Sequence, residues 1–295
     1  MRGLLLAVSA YGIWGCFPLF FSLLANVSAF EVLAHRIVWA YLFTGLVIIG
    51  LGRRKQLAAL IANRRALAWL SLSAALISIN WLVFIWAVSA GRVLESSLGY
   101  FLTPLVSLFL GRLLLKESMN RWQVIAGLIA AVAVLFELVA IGRLPWVSLV
   151  LAGSFGLYGL VRKMQPVDSL NGLQVETMVV LPVALLYLAW LWSAGQMMFA
   201  QTLSDTVLLI AAGAVTAVPL LLFAAAARRL DLIVVGFIMY LNPTLQFLSA
   251  VFILDEAYPP QRLLTFVLIW IAMGFFLAGL WQTHRQSRRA LARGA

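Results

Sequence analysis

Asn80 and Asn242 are amides set deep inside long apolar runs, and Trp14, Trp81, Tyr100, Tyr158 and Tyr240 stand at comparable depth in theirs. An amide in hydrocarbon needs hydrogen-bond partners, so both must face a neighbouring helix, a wet cavity or a bound molecule. Taken singly, each is as readily glue between helices as a ligand contact. The rings offer faces for stacking on a flat apolar molecule or a cation. Trp122 and Trp281, close to the ends of their runs, are better read as interfacial anchors. Amides and rings at mid-depth suit noncovalent recognition of a small organic solute.

A second constellation lies nearer one end of its runs: Glu31, His35 and Arg36, with Glu95 at the start of another run. Glu31 and His35 are four apart and share a helical face. Arg36 points elsewhere, and its expected counter-ion is Glu95, because charges inside a membrane usually pair. The group is either a static ion pair that fixes packing or an outer gate and protonation site for coupling.

Covalent chemistry finds little support. The chain has no His-Glu-x-x-His zinc motif, no Gly-x-Ser-x-Gly elbow and no phosphate-binding loop. One cysteine, Cys16, and two distant histidines, His35 and His284, supply neither a disulfide nor a metal set. The expectation is a chain that is not an enzyme and uses no metal and no cofactor.

These residues need elements to hold them, and composition names the medium. Of 295 residues 64% are hydrophobic and 11% charged, so the chain reads as an all-α polytopic membrane protein. Ten transmembrane helices are expected at 4–24, 32–51, 67–89, 94–114, 121–140, 145–163, 173–193, 206–226, 232–253 and 261–281. The first run has span length and no small-residue exit, so it is kept as a helix rather than a signal peptide. The net charge of +11 would suggest nucleic acid on a soluble chain. Here the basic residues gather in alternate loops, which instead fixes orientation. All but Arg36, Arg92, Arg143 and Arg262 of the 21 fall on one side, Arg162 and Lys163 among them. That side is the cytoplasm, with both termini in it.

The chain also repeats itself. Gly99-Tyr100-Phe101-Leu102-Thr103-Pro104 returns as Met239-Tyr240-Leu241-Asn242-Pro243, and Glu256 follows Pro243 by the same step as Glu117 follows Pro104. Both pairs are 139 positions apart, and Phe84 and Ala87 fall on Phe223 and Ala226 in that register. Tyr11-Gly12-Ile13-Trp14-Gly15 is matched to Phe155-Gly156-Leu157-Tyr158-Gly159. Five spans per copy is an odd number, so 1–143 and 144–295 are expected to be inverted five-helix repeats. Pro104 and Pro243 each leave the carbonyl four residues earlier, on Tyr100 and Met239, without its backbone partner. Helix breaks in both halves point to a solute site between them. Gly99, Thr103, Ser107 and Gly111 make a small-residue seam for close packing.

Several segments carry a family resemblance: Ala10-Tyr11-Gly12-Ile13-Trp14-Gly15, His35-Arg36, Asn80-Trp81-Leu82-Val83-Phe84-Ile85-Trp86-Ala87-Val88 and Leu94-Glu95-Ser96-Ser97-Leu98-Gly99-Tyr100-Phe101. Tyr158-Gly159-Leu160-Val161-Arg162-Lys163, Glu176-Thr177 and Leu181-Pro182 extend it over essentially the whole chain. Together they resemble the drug/metabolite transporter superfamily, specifically the EamA-type ten-helix transporters of the RarD branch. The resemblance implies a carrier of the bacterial inner membrane, with spans 1, 3, 4, 6, 8 and 9 around a central cavity. It implies no particular substrate. Where relatives often have Asn before the proline of span 4 this chain has Thr103, so the amide is present only in the second copy, as Asn242.

The reading is a secondary transporter of a metabolite, amino-acid-like or drug-like solute, working by alternating access. Its expected partners are that solute and membrane lipids, not nucleic acid. Ion-coupled symport, proton antiport and uniport all suit these residues, and so does any oligomeric state. A protein whose cavity accepts acyl chains is the alternative, told apart by a lateral opening lined only by apolar residues.

Overall fold

The computed structural model describes residues 2–24, 26–89, 93–141, 146–253 and 260–293. Side chains at 85, 88–89, 93–98, 137, 140–141, 250–251, 260–262, 280 and 283–293 are outside the described set. Among the described residues the structure is helical, with no strand. A backbone in lipid must satisfy its own polar groups, and the helix does so within one segment.

The helices are α1 (Arg2–Gly15), α2 (Phe17–Phe21), α3 (Ala29–Gly50), α4 (Arg54–Ala62), α5 (Arg64–Ser89), α6 (Val93–Leu113) and α7 (Arg121–Ile141). They continue as α8 (Trp146–Met164), α9 (Ser169–Ser193), α10 (Leu203–Ala227), α11 (Leu232–Ile238), α12 (Leu241–Phe252) and α13 (Pro260–Arg293). Among the described residues seven stretches are long and apolar enough to cross a membrane: Arg2–Leu24, Ala29–Gly50, Arg64–Phe84, Trp146–Met164, Ser169–Ser193, Leu203–Ala227 and Leu232–Ser249. Three shorter apolar stretches, Gly99–Leu113, Arg121–Phe136 and Leu263–Gly279, accompany them.

Polar residues set the helix ends. Asp168 accepts from the Leu170 and Asn171 amides at 3.1 and 3.2 Å and starts α9. Thr202 accepts from the Asp205 amide and starts α10. The Glu117 carboxylate takes the first amides of α11, Leu232 at 2.8 Å and Ile233 at 3.1 Å.

The two prolines behave differently. α6 continues through Pro104, and Thr103 donates its hydroxyl to the Gly99 carbonyl at 2.8 Å. The span with Pro243 is broken, α11 ending at Ile238 and α12 starting at Leu241. Met239 does not keep a free carbonyl there: a tighter turn lets it accept from the Asn242 amide at 2.9 Å. The expected pair of breaks is therefore one continuous helix and one real break.

Packing follows a pattern. α1 lies on α10 and α12, and α8 lies on α5 and α6. α3 contacts α10 and α9 contacts α5, while α3 with α9, α6 with α11 and α7 with α13 complete the main pairs. Exchanging α1, α3, α5, α6 and α7 for α8, α9, α10, α11–α12 and α13 returns the same pairs. Glycines set two of these crossings. A Cβ on Gly15 would stand 2.5 Å from Leu245, and one on Gly156 would stand 2.6 Å from Val106. Val106 and Leu245 are each two residues past their proline, Pro104 and Pro243. The contacts thus match Gly12–Gly15 with Gly153–Gly156, three residues from the match read in the sequence. What counts is which glycine receives the residue after the proline, and one helical turn of similar residues hides that.

Candidate functional site

The deepest shared feature is an aromatic centre. Tyr11 and Trp14 from α1, Phe155 and Tyr158 from α8, and Phe223 from α10 are all buried and in mutual contact. Trp14 meets Phe155 edge-on at 5.6 Å, and Tyr158 stacks on Phe223 at 5.8 Å. Trp81 and Tyr100, half-buried, lean on the same cluster, as does Met239. Rings at these separations attract through their quadrupoles as well as by burial.

Toward the end that carries the 194–202 loop lies Arg36, 5% exposed. Its Nε donates to Thr216 Oγ1 of α10 at 2.8 Å. Its guanidinium faces Trp81 at 5.0 Å, Phe21 at 5.1 Å and Phe17 at 5.8 Å. Among the described residues no carboxylate is within ion-pair distance. Glu95, the expected counter-ion, has its side chain outside the described residues. Ring faces stabilise a desolvated cation by up to about 2 kcal/mol each.

Glu31 and His35 share a face as the spacing requires, with His35 Nε2 3.9 Å from Glu31. Glu31 is engaged elsewhere: its Oε1 accepts from the Met198 and Phe199 amides at 2.8 and 3.0 Å. His35 Nδ1 accepts from Trp39 Nε1 at 3.3 Å, and its ring stacks on Phe199. The pair therefore ties the 197–199 segment to α3.

The amides are less central. Asn80 donates to the Leu151 carbonyl at 2.9 Å and to Ser154 at 3.1 Å, clasping α5 to α8. Asn242 accepts from Gln246 Nε2 at 2.9 Å, and that nitrogen is 3.5 Å from the Trp14 carbonyl. Tyr240 belongs to a different cluster, with Phe101, Phe237 and Phe276, and its buried hydroxyl has no hydrogen-bond partner among the described residues. The 139-residue register already places Tyr240 opposite Phe101, and Tyr100 opposite Met239. Structure and register agree on both, so Tyr240 lies away from the aromatic centre that Tyr100 touches.

The opposite end holds a group the spacing did not suggest. Arg162 does not belong to a loop: it lies in α8, 1% exposed, with its Nη1 3.5 Å from the Glu176 carboxylate, itself 2% exposed. Ser73 from α5 and the Tyr158 hydroxyl also meet that carboxylate. The guanidinium rests on Gly172, where any side chain would overlap it. Next to it Lys163 reaches Glu117 at 3.0 Å, Asp231 at 3.8 Å and the Leu230 carbonyl at 2.6 Å. An acidic residue inside the expected span 173–193 was the available signal, since such a charge calls for a buried partner. Among the described residues no three His, Cys, Asp or Glu come together as a metal set.

Residues 1–139 match the model of the EamA-like transporter family. Protein RarD of Escherichia coli is 43% identical over 98% of this chain and 98% of its own length. An uncharacterized transporter of Vibrio cholerae is 42% identical over 98% of this chain and 96% of that protein. A chloramphenicol-sensitive protein RarD of Pseudomonas aeruginosa is 35% identical over 99% and 98%. A crystal structure only 16% identical superposes with a TM-score of 0.71 over 92% of this chain and 96% of that one, a likeness of fold.

Proposed function

The chain belongs to the EamA-like transporter family, in its RarD branch, and on that premise we propose that it is a secondary carrier moving a small organic solute by alternating access. It is a multi-pass membrane protein of transporter type. The proposed setting is the bacterial inner membrane, both termini cytoplasmic, with the Arg162 end inside and the 194–202 loop outside. Residues 1–143 and 144–295 act as inverted repeats, a reading supported by helix pairs that survive exchange of the two sets.

The observation that carries the proposal is the aromatic centre with Arg36 beside it. Both are assembled across the seam: Tyr11, Trp14, Phe17, Arg36 and Trp81 from one half, Phe155, Tyr158, Thr216 and Phe223 from the other. A site made by two bodies changes when they rock, which is what alternating access requires. Ring faces with one cation and a few hydroxyls suit an amino-acid-like or drug-like solute with a flat apolar part. Asn80 and Asn242 support the surrounding helices, while Trp14, Trp81, Tyr100 and Tyr158 are the proposed contacts.

The test is uptake by the reconstituted chain of amino acids, aromatic acids and chloramphenicol, with and without a pH gradient. Saturable uptake lost in Trp81→Ala is the expected result. Lipid scrambling without uptake of any solute would replace the carrier with a lipid-handling protein.

A further inference from the structure

The hydrogen bonds around Glu176 close with either protonation state. Ser73 Oγ lies 3.0 Å from the Leu70 carbonyl and 2.5 Å from Glu176 Oε1. A serine hydroxyl has one proton to donate. If it goes to Leu70, the short contact to Oε1 needs a proton on the carboxyl. If it goes to Glu176, the carboxylate is served as an anion. Rotation about one C–O bond lets Ser73 satisfy either form. Tyr158 donates to Oε2 at 3.4 Å in both.

Arg162 has no such tolerance. Among the described residues its Nε and both Nη atoms are buried without a hydrogen-bond partner, and the charge of Glu176 is what holds it. Other elements around Glu176 add no competing charge among the described residues. From α8 come Arg162 and Tyr158, and from α5 comes Ser73. From α3, Thr44 bonds Gln174 rather than Glu176. Arg53, before α4, pairs with Asp168 at the start of α9. On α10, Asp205 bonds Thr202 and Asn26.

We infer that Glu176 is the proton-binding site of this carrier, and that Arg162 is the cation it holds when charged and releases when protonated. The inference rests on the transport reading. The step is proton binding at Oε1 and nothing more: Glu176 becomes neutral, Ser73 turns to Leu70, and Arg162 loses its counter-ion. Arg162 stands in the last turn of α8 beside half-exposed Lys163, so a released guanidinium turns past Gly172 toward water at that end. Tyr158 carries the change inward, since its hydroxyl touches Glu176 while its ring stacks on Phe223 in the aromatic centre.

The test is pH-difference infrared spectroscopy of the purified full chain, joined to proton flux in liposomes. A protonated-carboxyl band that titrates in the native chain and in Asp231→Asn is expected to vanish in Glu176→Gln. In Arg162→Met its midpoint is expected to rise by about one pH unit or more, as loss of a close opposite charge requires. A band that survives Glu176→Gln, or a midpoint unmoved in Arg162→Met, overturns the proposal. Should Glu176→Gln fail to accumulate, the Arg162→Met shift decides alone. In liposomes holding a trapped pH dye, added amino acids or chloramphenicol are expected to move protons in the native chain and not in Glu176→Gln. Solute uptake that moves no protons overturns the coupling while leaving the carrier. A blank solute panel with the band present and shifted keeps the proton site and removes the carrier.

Discussion

Arg36 and Arg162 are both nearly inaccessible, and they are held in opposite ways. Among the described residues Arg36 has one hydroxyl and three ring faces around it, and Arg162 has a carboxylate and no hydrogen bond. Both sites are made possible by a glycine one turn away on the facing helix. Gly213 of α10 lies against the Trp39 and Ala40 backbone, which brings Thr216 to Arg36. Gly172 of α9 lies under the guanidinium and brings Glu176 to Arg162. A cation among π faces and a hydroxyl is indifferent to a proton. A cation opposite a carboxylate is not, and on the proposed reading recognition belongs to one end and switching to the other.

The largest effect separates the two cations. Arg162→Met leaves a buried carboxylate unpaired and is expected to cost about 3–5 kcal/mol, recovered when Glu176→Met is added. Because an unpaired carboxylate is relieved by protonation, the single variant regains stability as pH falls. Among the described residues Arg36→Met strands a hydroxyl and no carboxylate, and it is expected to cost less. Thermal melts in detergent at several pH values read all three, and equal losses at both arginines would break the comparison.

Gly213→Ala comes next. Its added methyl would meet Trp39 carbonyl carbon at 2.5 Å and Ala40 nitrogen at 2.8 Å, which are backbone atoms that cannot step aside. A loss near about 3 kcal/mol is expected, at the upper end for overpacking. A melt unchanged from the native chain would mean that α3 and α10 do not cross this closely.

Thr216→Val removes the hydrogen bond that Arg36 makes among the described residues, expected to cost about 2 kcal/mol as a bond to a charged group. If the rings alone hold Arg36, the melt will not move. Asn80→Ala is the smallest, about 1 kcal/mol, because the amide joins α5 to α8. Its solute affinity should stay near native once protein levels are matched. A large change in affinity with no change in melting would return Asn80 to the solute site.

The sequence alone determined the medium, the all-helical class, the places of the apolar runs and the family. The first three follow from composition, periodicity and a register that repeats over 139 residues, which are local or additive properties of the chain, and the family follows from the motifs that resemble it. It also placed Glu31 and His35 on one face and Arg36 on another, because helix geometry fixes the direction of neighbours four apart. Tertiary structure decided the rest. Arg162 and Lys163 are adjacent and equally basic, and only packing buries one against Glu176 while leaving the other to Glu117. Two similar prolines give a continuous helix and a broken one. Which residue a buried amide or charge meets depends on how helices cross, and a crossing is set by glycines and side-chain volumes on two chains' worth of surface at once. That is information no single stretch of sequence contains.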